Sequence, residues 1–186
     1  MNSPLIRLLD VVFAIMGLCL LWPVMLIVYF IGRLDSDSPI FSQTRVGKQG
    51  KAFTLYKFRT MAVSTESVAT HMVDAQSVTK LGGFLRKTKL DELPQLVNVV
   101  KGEMSFVGPR PCLFNQTELI EERQKHNVDR VLPGITGLAQ VNGIDMSDPQ
   151  KLAVIDAQMI KVFSLGLYFR LIIATAIGKG AGDRIQ

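Results

Sequence analysis

Val11-Val12-Phe13-Ala14-Ile15-Met16-Gly17-Leu18-Cys19-Leu20-Leu21-Trp22-Pro23-Val24-Met25-Leu26-Ile27-Val28-Tyr29-Phe30-Ile31 is a run of 21 residues without a formal charge. A helix of that length extends about 31 Å, which matches the hydrocarbon core of a bilayer. Pro23 falls near its middle, where it removes the hydrogen bond to the Cys19 carbonyl and crowds that turn, so a kink or break is expected there. Two topologies follow: a single span with a tolerated proline, or a helix-break-helix that enters and leaves through one leaflet. Arg7 and Arg33 balance each other across the segment and do not choose between them. The run is long for a signal peptide and lacks a small-residue cleavage site, and the bulky Leu18 before Cys19 argues against lipidation after processing. The N-terminus is therefore expected to be retained.

Around this run, 186 residues make one domain's worth of chain, 48% hydrophobic and 20% charged, with a net charge of +5. That composition excludes a disordered or collagen-like chain, and two cysteines exclude a disulfide framework. Mean hydropathy is +0.26. Cys19 and Cys112 are far apart in sequence and fit a reducing compartment. Charge is unevenly placed: residues 1–42 carry net −1, residues 43–110 net +6, and residues 111–186 net 0. A basic block beside a membrane segment suits an anionic leaflet or a phosphorylated small molecule, and no nucleic-acid-binding motif accompanies it.

The patterns beyond the membrane run predict a mainly α protein with a small β-hairpin, divided into a membrane segment (1–34) and a second domain (35–186). Ile40 to Arg45 and Phe53 to Arg59, around Gly47-Lys48-Gln49-Gly50, read as the hairpin. Residues 62–79 read as a loop or mobile helix. Leu81, Phe84, Leu85 and Thr88 form one face of a short helix with Arg86, Lys87 and Lys89 on another, suited to a headgroup layer or to solvent. Ser147 and Gln150 have capping-box spacing before a helix continued by Leu152, Ile155, Met159 and Phe163. Leu165 to Ile177 is too short to span and reads as buried or interfacial.

Paired histidine or cysteine ligands, a glycine-rich phosphate loop and a dinucleotide fingerprint are all missing, so the chemistry falls to carboxylates and basic groups. In Leu90-Asp91-Glu92-Leu93-Pro94-Gln95-Leu96 the apolar spacing predicts a helix ending near Gly102, with Pro94 in its first turn. Asp91 and Glu92 then lie at its positive end, diverging by about 100°, so they take separate roles. An ordinary acidic helix start gives the same pattern. Lys57 and Arg59 project from one face of the second strand, with Tyr56 and Phe58 toward the core. Gly108-Pro109-Arg110-Pro111 fixes the backbone around a guanidinium suited to bidentate phosphate recognition.

Four ordered motifs carry a resemblance over nearly the whole chain: Tyr56 to Met61 (YKFRTM), Leu90 to Leu96 (LDELPQL), Asn98 to Pro111 (NVVKGEMSFVGPRP) and Pro133 to Gly143 (PGITGLAQVNG). Together they resemble the bacterial sugar transferase family, the monotopic phosphoglycosyl transferases that begin glycan assembly on a polyprenyl phosphate. The resemblance implies transfer of sugar-1-phosphate from a UDP-sugar to undecaprenyl phosphate, with release of UMP, at the cytoplasmic face of a bacterial inner membrane. It implies that Asp91 is the nucleophile of a phosphosugar-enzyme intermediate and contacts Mg²⁺, that Glu92 is its partner, and that Pro23 breaks a re-entrant membrane helix contacting lipid. Lys57, Arg59 and Arg110 would then offset phosphate charge around an Asp91 ionised at neutral pH. Many relatives carry arginine where this chain has Leu132 and Ile144, and a tyrosine pair where it has Met159 and Ile160. Those departures leave the sugar unassigned; self-association is also left open. The competing readings are a non-catalytic membrane-anchored module that binds anionic lipid or a partner enzyme, and a polyprenyl diphosphate phosphatase.

Overall fold

The computed structural model describes residues 1, 3–63 and 77–178. Most of the loop or helix expected over 62–79, with His71, lies outside the described residues. The chain begins with α1 (Pro4–Asp35), whose Ser3 hydroxyl accepts a hydrogen bond from the Ile6 amide and whose first helical position is Pro4. α1 runs unbroken through Pro23, so of the kink or break expected there the proline produces no break. One proline removes a single backbone bond, and the bonds on either side keep the helix continuous.

The hairpin follows as expected, with β1 (Ile40–Val46) antiparallel to β2 (Ala52–Phe58) and Arg45 opposite Phe53. Its strands are covered on two sides. Phe53 and Leu55 pack with Ala14, Leu96, Val99 and Met104, whereas Phe58 packs with Val28 and Leu85. Tyr56 is only half-buried, under the Lys101 ammonium 5.0 Å from its ring centre.

α2 (Lys80–Thr88) is capped by the Thr79 hydroxyl and ends at Lys89 in the left-handed region, φ 61°. Leu85 goes into the core while Phe84 stays exposed, so the expected apolar face is split between protein and surroundings. A single 3₁₀ turn, Leu90–Glu92, then leads through Pro94 into α3 (Gln95–Lys101), which stops at Gly102 with φ 85°. Asn98 is fully buried and joins α3 to β2, accepting from the Tyr56 amide (3.2 Å) and donating to the Thr54 carbonyl (2.7 Å). Arg7 of α1 donates to the Val99 and Val100 carbonyls (2.6 and 2.9 Å), adding to the Gly102 amide on Val99 and capping the end of α3 at Val100.

Beyond α3 lies a pair absent from the sequence expectations: β3 (Ser105–Val107) runs parallel to β4 (Gly134–Thr136). α4 (Thr117–Lys125), the short α5 (Leu138–Val141), α6 (Pro149–Lys161) and α7 (Leu165–Ala176) complete the domain. The cap of α6 is Asp148, whose Oδ1 accepts from the Lys151 amide (3.1 Å); Ser147 instead donates to Asp145. Asp148 prevails because Pro149 takes the first helical position directly after it. In α7, Tyr168 and Leu171 are buried and Leu165, Phe169 and Ile173 exposed, so the segment is both buried and outward-facing. Tyr168 donates to Asp10 Oδ1 (2.9 Å), which also accepts from the Phe106 amide (3.1 Å), tying α7 and β3 to α1.

Candidate active site

Asp91 occupies the 3₁₀ turn between α2 and α3 and is 6% exposed. The left-handed Lys89 turns the chain sharply out of α2, and Leu90 and Leu93 join Val24 and Met25 of α1 around the buried cluster of Val28, Phe58 and Leu85. Those apolar neighbours hold the acidic pair while desolvating it. Asp91 Oδ1 is buried and has no hydrogen-bond partner among the described residues. Burial first, and the adjacent Glu92 charge second, push the Asp91 carboxyl up to about 7, against the opposing pull of Lys57, Arg86 and Arg110. The expectation of an ordinary, fully ionised carboxylate at neutral pH is therefore corrected: desolvation outweighs three cations.

Glu92 diverges from Asp91 and meets Arg110, with Nη1 to Oε1 at 3.5 Å. Arg110 is held by its backbone as well as by its charge. Gly108 N donates to the Thr136 carbonyl (2.8 Å), Gly134 N to the Pro109 carbonyl (2.9 Å), Arg123 Nη1 to the Arg110 carbonyl (2.8 Å), and Arg45 Nη1 to the Pro111 carbonyl (3.2 Å). Four consecutive residues are thus fixed, so the Gly-Pro-Arg-Pro loop and the Pro133-Gly134 turn form one braced unit. Arg123 is itself anchored by a buried ion pair to Asp156 Oδ2, at 2.7 Å. A guanidinium that must wait in place for an anion gains from such fixing.

Among the cations expected from the sequence, Lys57 and Arg110 come together with the acidic pair. Arg59 does not join them: its Nε donates to the Ser38 carbonyl (2.6 Å) and its guanidinium lies 5.4 Å from the Phe41 ring centre. Pro23 lies in α1 and is exposed. Arg86, read from sequence as part of a basic helix face, instead turns inward; its Nε donates to Thr60 Oγ1 (2.9 Å) and its charge bears on Asp91. The signal for Arg86 was its place five residues before Asp91, with one helical turn and a reversal between them. Arg45 and Gln95 were also missed, and both line a niche shared with Lys57 and Arg110. None of Leu132, Ile144, Met159 and Ile160 lines that niche. Leu132 borders a separate cavity beside Arg7 and Asp10, Met159 is core, and Ile144 packs near Leu119 and Leu152.

The described residues hold no cluster of three or more His, Cys, Asp or Glu side chains that could enclose a metal ion. Mg²⁺ commonly takes only one or two protein carboxylates and completes its shell with water and substrate phosphate. Asp91, with an unpartnered buried oxygen, fits that single-carboxylate role.

A family model described as bacterial sugar transferase matches residues 1–179. The chain is 41% identical to a sugar transferase of Bacillus subtilis named EpsL, described as uncharacterized, over 91% of this chain and 84% of that protein. It is 39% identical to an uncharacterized sugar transferase of Haemophilus influenzae over 86% of this chain and 37% of that protein. It is 38% identical to the UDP-glucose:undecaprenyl-phosphate glucose-1-phosphate transferase of Escherichia coli, over 94% of this chain and 40% of that protein. The chain thus spans about two fifths of the length of the latter two relatives.

Proposed function

The chain belongs to the bacterial sugar transferase family, and from that membership we propose that it moves sugar-1-phosphate from a UDP-sugar to undecaprenyl phosphate and releases UMP. The observation that carries this reading is the buried, unpartnered Asp91 carboxylate among Lys57, Arg86 and Arg110. The Escherichia coli relative is named for the same kind of transfer.

In the proposed reaction an Asp91 oxygen attacks the phosphorus that bears the sugar. The bond from that phosphorus to the bridging oxygen breaks, and UMP leaves with the electron pair. A phosphate oxygen of the lipid then attacks the aspartyl phosphate, forming the lipid diphosphate sugar and regenerating the Asp91 carboxylate. Glu92 holds the Arg110 guanidinium beside the reacting phosphates. Lys57 and Arg86 lower the cost of bringing a phosphate up to an anionic nucleophile. Mg²⁺ bound through Asp91 would supply further neutralisation of phosphate charge.

The same reading places the protein in a bacterial inner membrane with its site at the cytoplasmic face and α1 re-entrant. Support comes from how α1 is covered. Ile6, Ala14 and Val28 along one side are buried against the domain, while Leu8, Leu20, Trp22 and Phe30 on the other side are exposed, so an apolar face stands outward along the helix while both of its ends are tied to one domain.

Nucleotide release tests the reaction. Purified protein with undecaprenyl phosphate, Mg²⁺ and a panel of UDP-sugars is expected to yield UMP, and chelation of the metal is expected to stop turnover. UDP as product would mean ordinary glycosyl transfer, and inorganic phosphate without sugar transfer would mean a phosphatase; either overturns the proposal.

A further inference from the structure

Gln95, the first residue of α3, is 5% exposed, and its side-chain amide, which bonds no described residue, keeps its polar atoms accessible. It lines the niche that also receives Arg45, Lys57 and Arg110. An accessible amide with no protein partner is free to donate to whatever occupies the niche. Its neighbours favour an anion: three cationic side chains converge there, and the carboxylate closest in sequence, Glu92, lies three residues back and is paired with Arg110.

We propose that Gln95 is a substrate-binding residue whose amide N–H groups hold a phosphate in this niche, and that the phosphate is that of the departing nucleoside monophosphate. This rests on the transfer reaction proposed above. Position separates the nucleotide from the lipid as the source of the phosphate. The niche is walled by β1, β2, α3, the Gly108–Pro111 loop and β4, with no lining residue from α1, α2 or α7. Those three helices carry the outward apolar side chains Trp22, Phe30, Phe84, Phe169 and Ile173. A water-soluble phosphate therefore has the niche to itself, while the lipid phosphate approaches Asp91 from the apolar side. Arg45 fits the assignment because its guanidinium is bonded to the Pro111 carbonyl and to Gln43 Oε1, which holds its charge at the niche wall.

The test is equilibrium binding of UMP to the purified full chain in detergent, together with separate KM values for the UDP-sugar and for undecaprenyl phosphate. Gln95→Met keeps side-chain size and removes the amide; it should weaken UMP binding about tenfold, the worth of one hydrogen bond to a charged group. Gln95→Glu keeps the shape and places a negative charge against the phosphate, so it should weaken UMP binding more. Both should raise the donor KM and leave the lipid KM within about twofold. UMP affinity unchanged in the folded Gln95→Glu protein, or a rise confined to the lipid KM, would overturn the assignment. If both variants merely melt earlier while the folded fraction binds UMP like the parent, Gln95 is a packing residue and the proposal fails. Failure of the reaction itself would be seen separately, as absence of UMP release by the parent protein, whereas dependence of UMP binding on Gln95 does not require turnover.

Discussion

Asp91 combines two properties that ordinarily conflict, burial and charge. Its carboxyl titrates near 7 because desolvation, reinforced by Glu92, outweighs Lys57, Arg86 and Arg110. An acid whose folded pKa is raised stabilises the fold only while protonated. In metal-free buffer its contribution is therefore lost as pH rises from the ordinary carboxylate range, about 3.9, through about 7. Asp91→Asn should remove that loss, so the variant is expected to melt higher than the parent at pH 8 and to differ less from it at pH 5. Each 1 kcal/mol recovered would raise Tm by about 2–4 °C for a chain of this size. The same variant should release no UMP. Thermal unfolding in EDTA at the two pH values measures the effect, and equal melting temperatures at pH 8 would contradict a buried charge at Asp91. Sequence could place Asp91, Glu92, Lys57 and Arg110 at a common site because each lies in a locally distinctive motif. It could not place Arg86, Arg45 or Gln95 there, because their inward orientation is set by the reversal at Lys89 and by the docking of separate elements.

At the level of elements, the site depends on close backbone approaches that glycine permits. In α2 a Cβ on Gly82 would lie 2.0 Å from the Thr60 carbonyl oxygen, and one turn later Arg86 reaches Thr60 Oγ1. Gly83, next along the helix, faces open space: a Cβ there would meet nothing within 4 Å. The neighbouring glycines should thus respond oppositely to alanine. Gly82→Ala must push α2 away from Thr60, costing about 1–3 kcal/mol, with a loss of activity of roughly a hundredfold if Arg86 is displaced by 1 Å. Gly83→Ala should gain up to about 1 kcal/mol from helix propensity and leave activity intact. Denaturant unfolding and UMP-release rates of the pair provide the comparison; a harmless Gly82→Ala would mean that α2 is not held to Thr60 in this way. A second such approach joins Gly134 to Gly108, where a Cβ on Gly134 would fall 2.0 Å from the Gly108 amide nitrogen. The hairpin was legible because its two strands are adjacent and flank a glycine-bearing turn. The β3 and β4 pair was not, since strands of three residues offer too little alternation to count and their partners meet only through the tertiary fold.

Across the whole molecule, α1 is both an apolar surface and the spine of the domain. Ala14, Ile6 and Val28 each belong to a different core cluster, with α3, α7 and β2 respectively among their partners. Sequence revealed the length and apolarity of this helix but not that role, because the residues turned inward along it, Ile6, Ala14 and Val28, look like those turned toward lipid. The packing bears directly on topology. Ile6 and Gly32 are separated by about 39 Å of helix, more than the thickness of a hydrocarbon core. Yet Ile6 packs with Tyr168 and Leu171, and Gly32 abuts Pro39 at the start of the hairpin. A single span would place those two contacts on opposite sides of a bilayer, whereas a re-entrant helix keeps both on one side. Single cysteines introduced as Ser3→Cys or Asp37→Cys, with Cys19 and Cys112 replaced, should therefore react with a membrane-impermeant maleimide from the cytoplasmic side alone. In the unsubstituted chain, Cys19, exposed on the outward face of α1, should resist the reagent until detergent dissolves the bilayer. Labelling of the two introduced cysteines from opposite sides would restore the single span and require one end of α1 to detach from the domain.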